Sequence, residues 1–237
     1  MYIRSVAIRW DEIGPDSWLR GIPALAGLGT LRLTKPVTFW AGENGSGKST
    51  LLEAVAIACG FNPEGGTFNY AFSTRDSHSE LHEAIRIVRD RKPKWGYFLR
   101  AESFYNVATM EEEYAKGPFG SPNPLHLHER SHGESFLTVV QEQMREGGLY
   151  LLDEPEAALS PQRQLTLLIE IDRCVRDGAQ FIIATHSPIL LAMPGAEILH
   201  FGEDGVTPVA FEDTESCRIT SMIINDRQRL FRQLFTE

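Results

Sequence analysis

Between Ala41 and Thr50 the chain reads AGENGSGKST, which contains the pattern Gly42-x-x-x-x-Gly47-Lys48-Ser49. Three glycines, Gly42, Gly45 and Gly47, let a loop curl tightly so that its N–H groups converge on an anion. In such a loop Lys48 reaches the outer phosphates of a nucleotide and the Ser49 hydroxyl ligates Mg2+. Glu43, Asn44, Ser46 and Thr50 complete the expected phosphate cradle, and the positive end of the helix that follows adds to it. A second segment, Leu149-Tyr150-Leu151-Leu152-Asp153-Glu154-Pro155, is a run of four apolar residues ending in two carboxylates. Asp153 is placed to hold Mg2+ directly or through water, and Glu154 to polarise an attacking water. A third, Ala184-Thr185-His186-Ser187-Pro188, puts a histidine just past another apolar run.

These groups need elements that bring them to one edge. The β-prone run Val37–Trp40 precedes the glycine loop, and the helical run Leu51–Ala58 follows it. Leu149–Leu152 and Phe181–Ala184 read as buried strands, so Asp153 and His186 belong at one end of a sheet, where open α/β sheets bind ligands. Further strands are expected at Tyr2–Arg9, Leu31–Leu33 and Trp95–Arg100. Helices are expected at about Ser79–Arg89, on a stripe of Leu81, Ala84, Ile85 and Val88, at Phe136–Arg145, and at Pro161–Arg176 with Ser160 as N-cap. Strands alternating with helices imply an α/β domain spanning 1–237, with a largely parallel central sheet, flanking helices and an N-terminal antiparallel β region. A small helical subdomain is expected over about 60–145.

Together these segments resemble an ABC-type ATPase, the P-loop NTPase fold shared by ABC transporter cassettes and by RecF- and SMC-like ATPases, the latter often labelled AAA family ATPases. Arg130-Ser131-His132-Gly133-Glu134 is similar to that family's signature, usually LSGGQ or LSGGE, with Ser131, Gly133 and Glu134 matching. Asp153–Ser160, DEPEAALS, resembles a Walker B motif running into a D-loop, in the form used by the RecF/SMC-like branch. The resemblance implies ATP and Mg2+ as ligands, hydrolysis of ATP, and His186 on the γ-phosphate. It also implies an ATP-dependent homodimer in which Ser131, Gly133 and Glu134 face the γ-phosphate held by a second copy. Ser131-x-x-Glu134 is at the same time a capping box, which aims a helix end outward. One departure stands out: no glutamine precedes Gln141, so the family's glutamine loop is missing. Glu102, just after the strand ending near Arg100, is the positional substitute as a metal or water ligand, with Arg100 offsetting its charge. Trp10 and Trp18 are the aromatic candidates for stacking on the base.

Composition limits the setting. A net charge of −9 argues against broad nucleic-acid binding, although Arg86, Arg89, Arg91, Lys92 and Lys94 form one local basic cluster, read as a solvated helix end. Cys59, Cys174 and Cys217 make no C-x-x-C pair, as suits a reducing cytoplasm. The N-terminal residues lack a signal-peptide layout and no apolar run matches a membrane span. His126, His128 and His132 cluster without an acidic or cysteine ligand to complete a metal site. The expected role is a cytoplasmic ATPase switch or motor subunit acting with a client protein. The alternatives are the ATP-binding subunit of an ABC transporter and a nucleotide sensor with little turnover.

Overall fold

A computed structural model describes residues 1–68, 79–101 and 132–235. In chain order its strands are β1 (Ile3–Ile8), β2 (Thr30–Arg32), β3 (Val37–Gly42), β4 (Ile85–Arg89), β5 (Gly96–Arg100), β6 (Leu149–Asp153), β7 (Gln180–Ala184), β8 (Glu197–Gly202) and β9 (Gly205–Pro208). Its helices are α1 (Pro23–Ala26), α2 (Lys48–Cys59), α3 (His132–Gln143), α4 (Pro161–Arg176), α5 (Pro188–Leu191) and α6 (Glu215–Leu234). The larger sheet runs β5-β6-β7-β3-β8-β9, parallel except for β9. The smaller sheet, β2-β1-β4, is antiparallel.

Strand alternation divides the interior in two. Trp40, Leu151 and Ile182 face α2 and its Leu51, Leu52 and Val55. Phe39, Leu152 and Ile183 face the other way, onto Phe136, Val139 and Val140 of α3 and Leu167 and Ile171 of α4. Covered on both faces, β6 and β7 are buried along their whole length, which is why they read as continuous apolar runs. Ser160 caps α4 by accepting from Arg163 N–H, with Pro161 in the first turn.

The helix expected over Ser79–Arg89 is not formed. Glu80–His82 is a single 3-10 turn, and Ile85–Arg89 is the edge strand β4, paired with β1 from Ile3 to Ile8. Ile85, Ile87 and Val88 are β-branched and favour the pleated surface, so the stripe at helical spacing was coincidental. The basic cluster therefore begins on an edge strand rather than at a helix end. Within 60–145 the described residues also hold β5, which belongs to the main sheet, and α3.

One side chain joins the two sheets. The buried Gln180 at the start of β7 accepts from Tyr2 N–H at 2.7 Å and Ile3 N–H at 2.8 Å, and donates to Ile3 C=O at 2.8 Å. It takes up donors at the start of β1, next to the shift in register against β4 between Ile3 and Ser5. The Tyr2 hydroxyl adds a bond to Gly147 C=O.

Candidate functional site

The glycine loop leaves β3 and enters α2 as its sequence demands. Gly42 has φ 143°, and a Cβ there would lie 2.4 Å from Phe201 C=O on β8. Gly47 has φ 93°, and a Cβ there would meet Ile22 at 2.7 Å, so the segment around α1 clamps the loop from outside. Lys48 is 3% exposed. Its ammonium donates to Gly42 C=O and Glu43 C=O at 2.8 Å and to Ser46 Oγ at 3.3 Å. Burial holds its pKa below the usual lysine value, against the opposing pull of Glu154, Asp153 and Glu156.

Across the sheet edge, Ser49 Oγ donates to Asp153 Oδ1 at 2.8 Å. The two residues come from α2 and β6 and meet beside the loop that would hold phosphates. This donor set fits Mg2+: two hard oxygens already side by side, with room in the shell for phosphate and water. Among the described residues no group of three or more His, Cys, Asp or Glu could hold a metal by itself.

Glu154 follows with φ 48° and ψ 51°, a left-handed conformation shared by no other non-glycine residue among those described. Its N–H donates to Ala184 C=O at 2.9 Å, tying the ends of β6 and β7 together. Strain of this kind at a non-glycine residue persists where the surroundings enforce it. Here it turns the carboxylate toward His186, leaving Glu154 Oε1 3.8 Å from His186 Nε2. That separation is too long for a hydrogen bond. It would be an ion pair only with a protonated ring. Burial, and then the nearby Lys48, hold the His186 pKa below its usual value, against Glu154, Glu156 and Glu215. The ring is therefore neutral at pH 7.

Two contacts here were missed in the sequence. Glu156 Oε1 accepts the backbone N–H of His186 at 2.6 Å, while Glu156 Oε2 and His186 Nε2 are buried with no hydrogen-bond partner. Ser187 donates to Gln164 Oε1 on α4 at 2.5 Å and accepts from Ile189 and Leu190 N–H. The DEPE-to-THSP pairing could have been suspected only from knowledge that the two segments end adjacent strands. Arg100, in register with Asp153 across β5 and β6, pairs with Glu53 of α2 and lies 3.7 Å from Asp153 Oδ2.

Of the signature residues, Gly133 sits at the start of α3, where a Cβ would come within 2.4 Å of Arg163 Nη1 and 2.9 Å of Ala158 C=O. Glu134 pairs with Arg163 at 3.2 Å. Ser131 and Glu102, together with His126, His128 and Arg130, lie outside the described residues. Trp10 is engaged structurally: its Nε1–H donates to Leu28 C=O and the Arg20 guanidinium covers its ring. Trp18 is 60% exposed, just before the segment that clamps Gly47. In the basic cluster, Arg89 donates to Ala58 C=O at the end of α2 and Arg91 lies over the Tyr2 ring.

Two family models match the chain. One, described as "AAA domain", matches residues 20–117, and the other, described as "AAA domain, putative AbiEii toxin, Type IV TA system", matches residues 135–192. The ribose import ATP-binding protein RbsA of Bacillus cereus is 23% identical over 187 residues, which are 70% of this chain and 37% of that protein, so the chain matches little more than a third of that relative's length. The structure of cbiO1 from Clostridium perfringens, part of the ABC transporter complex cbiONQ, is similar at TM-score 0.53 and 16% identity, over 99% of both chains. The SMC head domain from Thermotoga maritima gives TM-score 0.49 at 13% identity, over 89% of this chain and 100% of that one.

Proposed function

We propose that this chain, an ABC-type ATPase by its fold and by the order of its motifs, binds ATP with Mg2+, dimerises on it and hydrolyses it as a soluble switch or motor subunit. The observation that carries the reading is the Lys48–Ser49–Asp153 arrangement. A buried ammonium, a hydroxyl and a carboxylate are held by hydrogen bonds beside the glycine loop. Lys48 would exchange its carbonyl partners for β- and γ-phosphate oxygens, and Ser49 and Asp153 would hold Mg2+. When bound, that ion neutralises charge on the phosphates. Glu154 would take the proton from the attacking water. The neutral His186 would donate from Nε2 to the γ-phosphate and fix its position. Ser131, Gly133 and Glu134 of a second copy would close the site from above, and the exposed Trp18 would stack on the base.

The proposed setting is the cytoplasm, with a client protein. No helix among the described residues is long and apolar enough to cross a membrane. A second reading, a nucleotide sensor with little turnover, is favoured by the open 3.8 Å separation of Glu154 and His186. The transporter-subunit reading leans on the printed names of RbsA and cbiO1, and co-purification with a membrane protein would support it. Steady-state phosphate release with MgATP separates switch from sensor. Stoichiometric binding without turnover would leave only the sensor, and no binding would end all three.

A further inference from the structure

The carboxyl end of β5 carries a permanent cation where the metal-holding carboxylate sits. Arg100 is in register with Asp153 across the parallel β5–β6 pair. Its Nη1 engages Glu53 Oε2, and its Nε lies 3.7 Å from Asp153 Oδ2. The other oxygen, Asp153 Oδ1, takes the Ser49 hydroxyl. The three charged side chains are 19%, 11% and 9% exposed for Arg100, Glu53 and Asp153, so water screens them weakly. The Asp153 carboxylate is thus shared, with one oxygen toward the serine where the ion would sit and one toward a fixed positive charge.

We infer that Arg100 is a positioning residue that sets the coupling between metal and nucleotide. At 3.7 Å from Asp153 Oδ2 it acts on that carboxylate by charge rather than by a hydrogen bond, with Oδ1 left to the side of Ser49, and its charge stands in for part of the ion's charge while the seat lacks one. Without such a cation, a triphosphate arriving free of metal would meet Glu53, Asp153 and Glu154 together, a repulsion that falls on the nucleotide. With the ion present, the guanidinium is partly redundant, because it also repels the ion. Loss of Arg100 therefore matters most for nucleotide without metal. This inference rests on the ATP-binding reading and specifies what the end of β5 contributes to it.

The test is binding of a fluorescent N-methylanthraniloyl ATP to the full chain, titrated once in EDTA and once in saturating Mg2+. R100Q is expected to weaken binding about tenfold in EDTA, the scale of one poorly screened charge contact, and by no more than about threefold in Mg2+. R100K, which keeps the charge, and R100Q/E53Q, which restores the net charge, are expected to recover most of the EDTA affinity. E53Q alone removes one of the carboxylates that face Arg100 and is expected to bind a few-fold tighter than wild type in EDTA. This variant keeps the inference testable if R100Q does not fold. An equal loss in both media, no loss in EDTA, failure of R100K to rescue, or no gain from E53Q overturns it. Absence of binding by the wild type would instead end the nucleotide reading itself.

Discussion

Two adjacent parts of the strand-end edge are built to different degrees of completion. Lys48, Ser49 and Asp153 are buried or half-buried, and each makes short hydrogen bonds. Glu154 and His186, one step further along, have side chains 42% and 36% exposed and stand 3.8 Å apart without a bond. The first group is already gathered in one place, and a phosphate would have only to draw the Lys48 ammonium from its carbonyl partners. The second is held at the right end of the right strands but has not closed. On the proposed reading, that difference teaches where control would act: grip on nucleotide would be a property of one chain, whereas Glu154 and His186 would await a γ-phosphate and a covering surface.

The largest effect is expected on the binding side. Lys48→Ala should remove measurable ATP affinity, while wild type at about a hundred times its dissociation constant should gain roughly 2.7 kcal/mol of stability. Thermal unfolding with and without MgATP reads this directly, and equal stabilisation of both proteins would mean that the loop is not the grip. On the hydrolytic side, Glu154→Gln should still bind MgATP but lose roughly 10²–10⁴-fold in turnover, the range for a lost general base. Full activity in that variant would erase the division between the two groups.

The covering surface comes next. Glu154→Gln with ATP is expected to run as a dimer in light scattering, and adding Ser131→Arg should weaken that dimer about tenfold or more, the effect of a steric cost of 1.4 kcal/mol. A dimer indifferent to nucleotide and to Ser131→Arg would place assembly elsewhere. A smaller effect is expected at Glu156, whose carboxylate fixes the backbone beside His186. Glu156→Ala should lower kcat about fivefold with ATP affinity unchanged, as for one charge-assisted hydrogen bond, and Glu156→Gln should recover much of it. Loss of affinity together with kcat would mean that Glu156 serves the binding side after all.

The smallest signal is in pH. The folded pKa of His186 lies below its usual 6.5, with Lys48, Glu154, Glu156 and Glu215 the charges that face it. A group depressed on folding contributes stability that is present above the unfolded value and lost as pH falls through the folded one. With the ring acting as the neutral donor proposed above, turnover is expected to hold as pH falls past 6.5 and to drop only as pH passes the lower folded value, where the ring gains a proton. His186→Gln should flatten that acid limb. An acid limb of unchanged shape in His186→Gln would assign the titration to another group.

Much of this edge was legible from residues alone. A strand buried on both faces and ending in an acid, as at Leu149–Asp153, has no other plausible place than mid-sheet, and Pro161 after Ser160 announces α4 directly. The glycine loop carried its own geometry, because Gly42 and Gly47 stand where a Cβ would strike Phe201 and Ile22. What escaped was set by partners distant in sequence. The pairing of Ile85–Arg89 with β1 overrode a helical spacing. The Arg100–Glu53 pair depends on which strand lies beside β6, and the Glu156 contact depends on a loop 30 residues away. β8, β9 and α6 carry no chemistry-bearing motif and drew no expectation.

Gln180 has a consequence for the order in which the chain can mature. The first strand cannot satisfy Tyr2 and Ile3 until a residue 178 positions further on has been made and brought back. During synthesis β1 can find β2 and then β4 early, but the Tyr2 and Ile3 donors stay open while the segment carrying Asp153 emerges. Contacts of such separation are slow to form and leave strand edges exposed in the meantime. A nascent chain stopped short of residue 180 would already display the complete glycine loop and both acids, yet lack the side chain that takes up the Tyr2 and Ile3 N–H groups. That link between the two sheets thus arrives late, with the strand that also delivers His186.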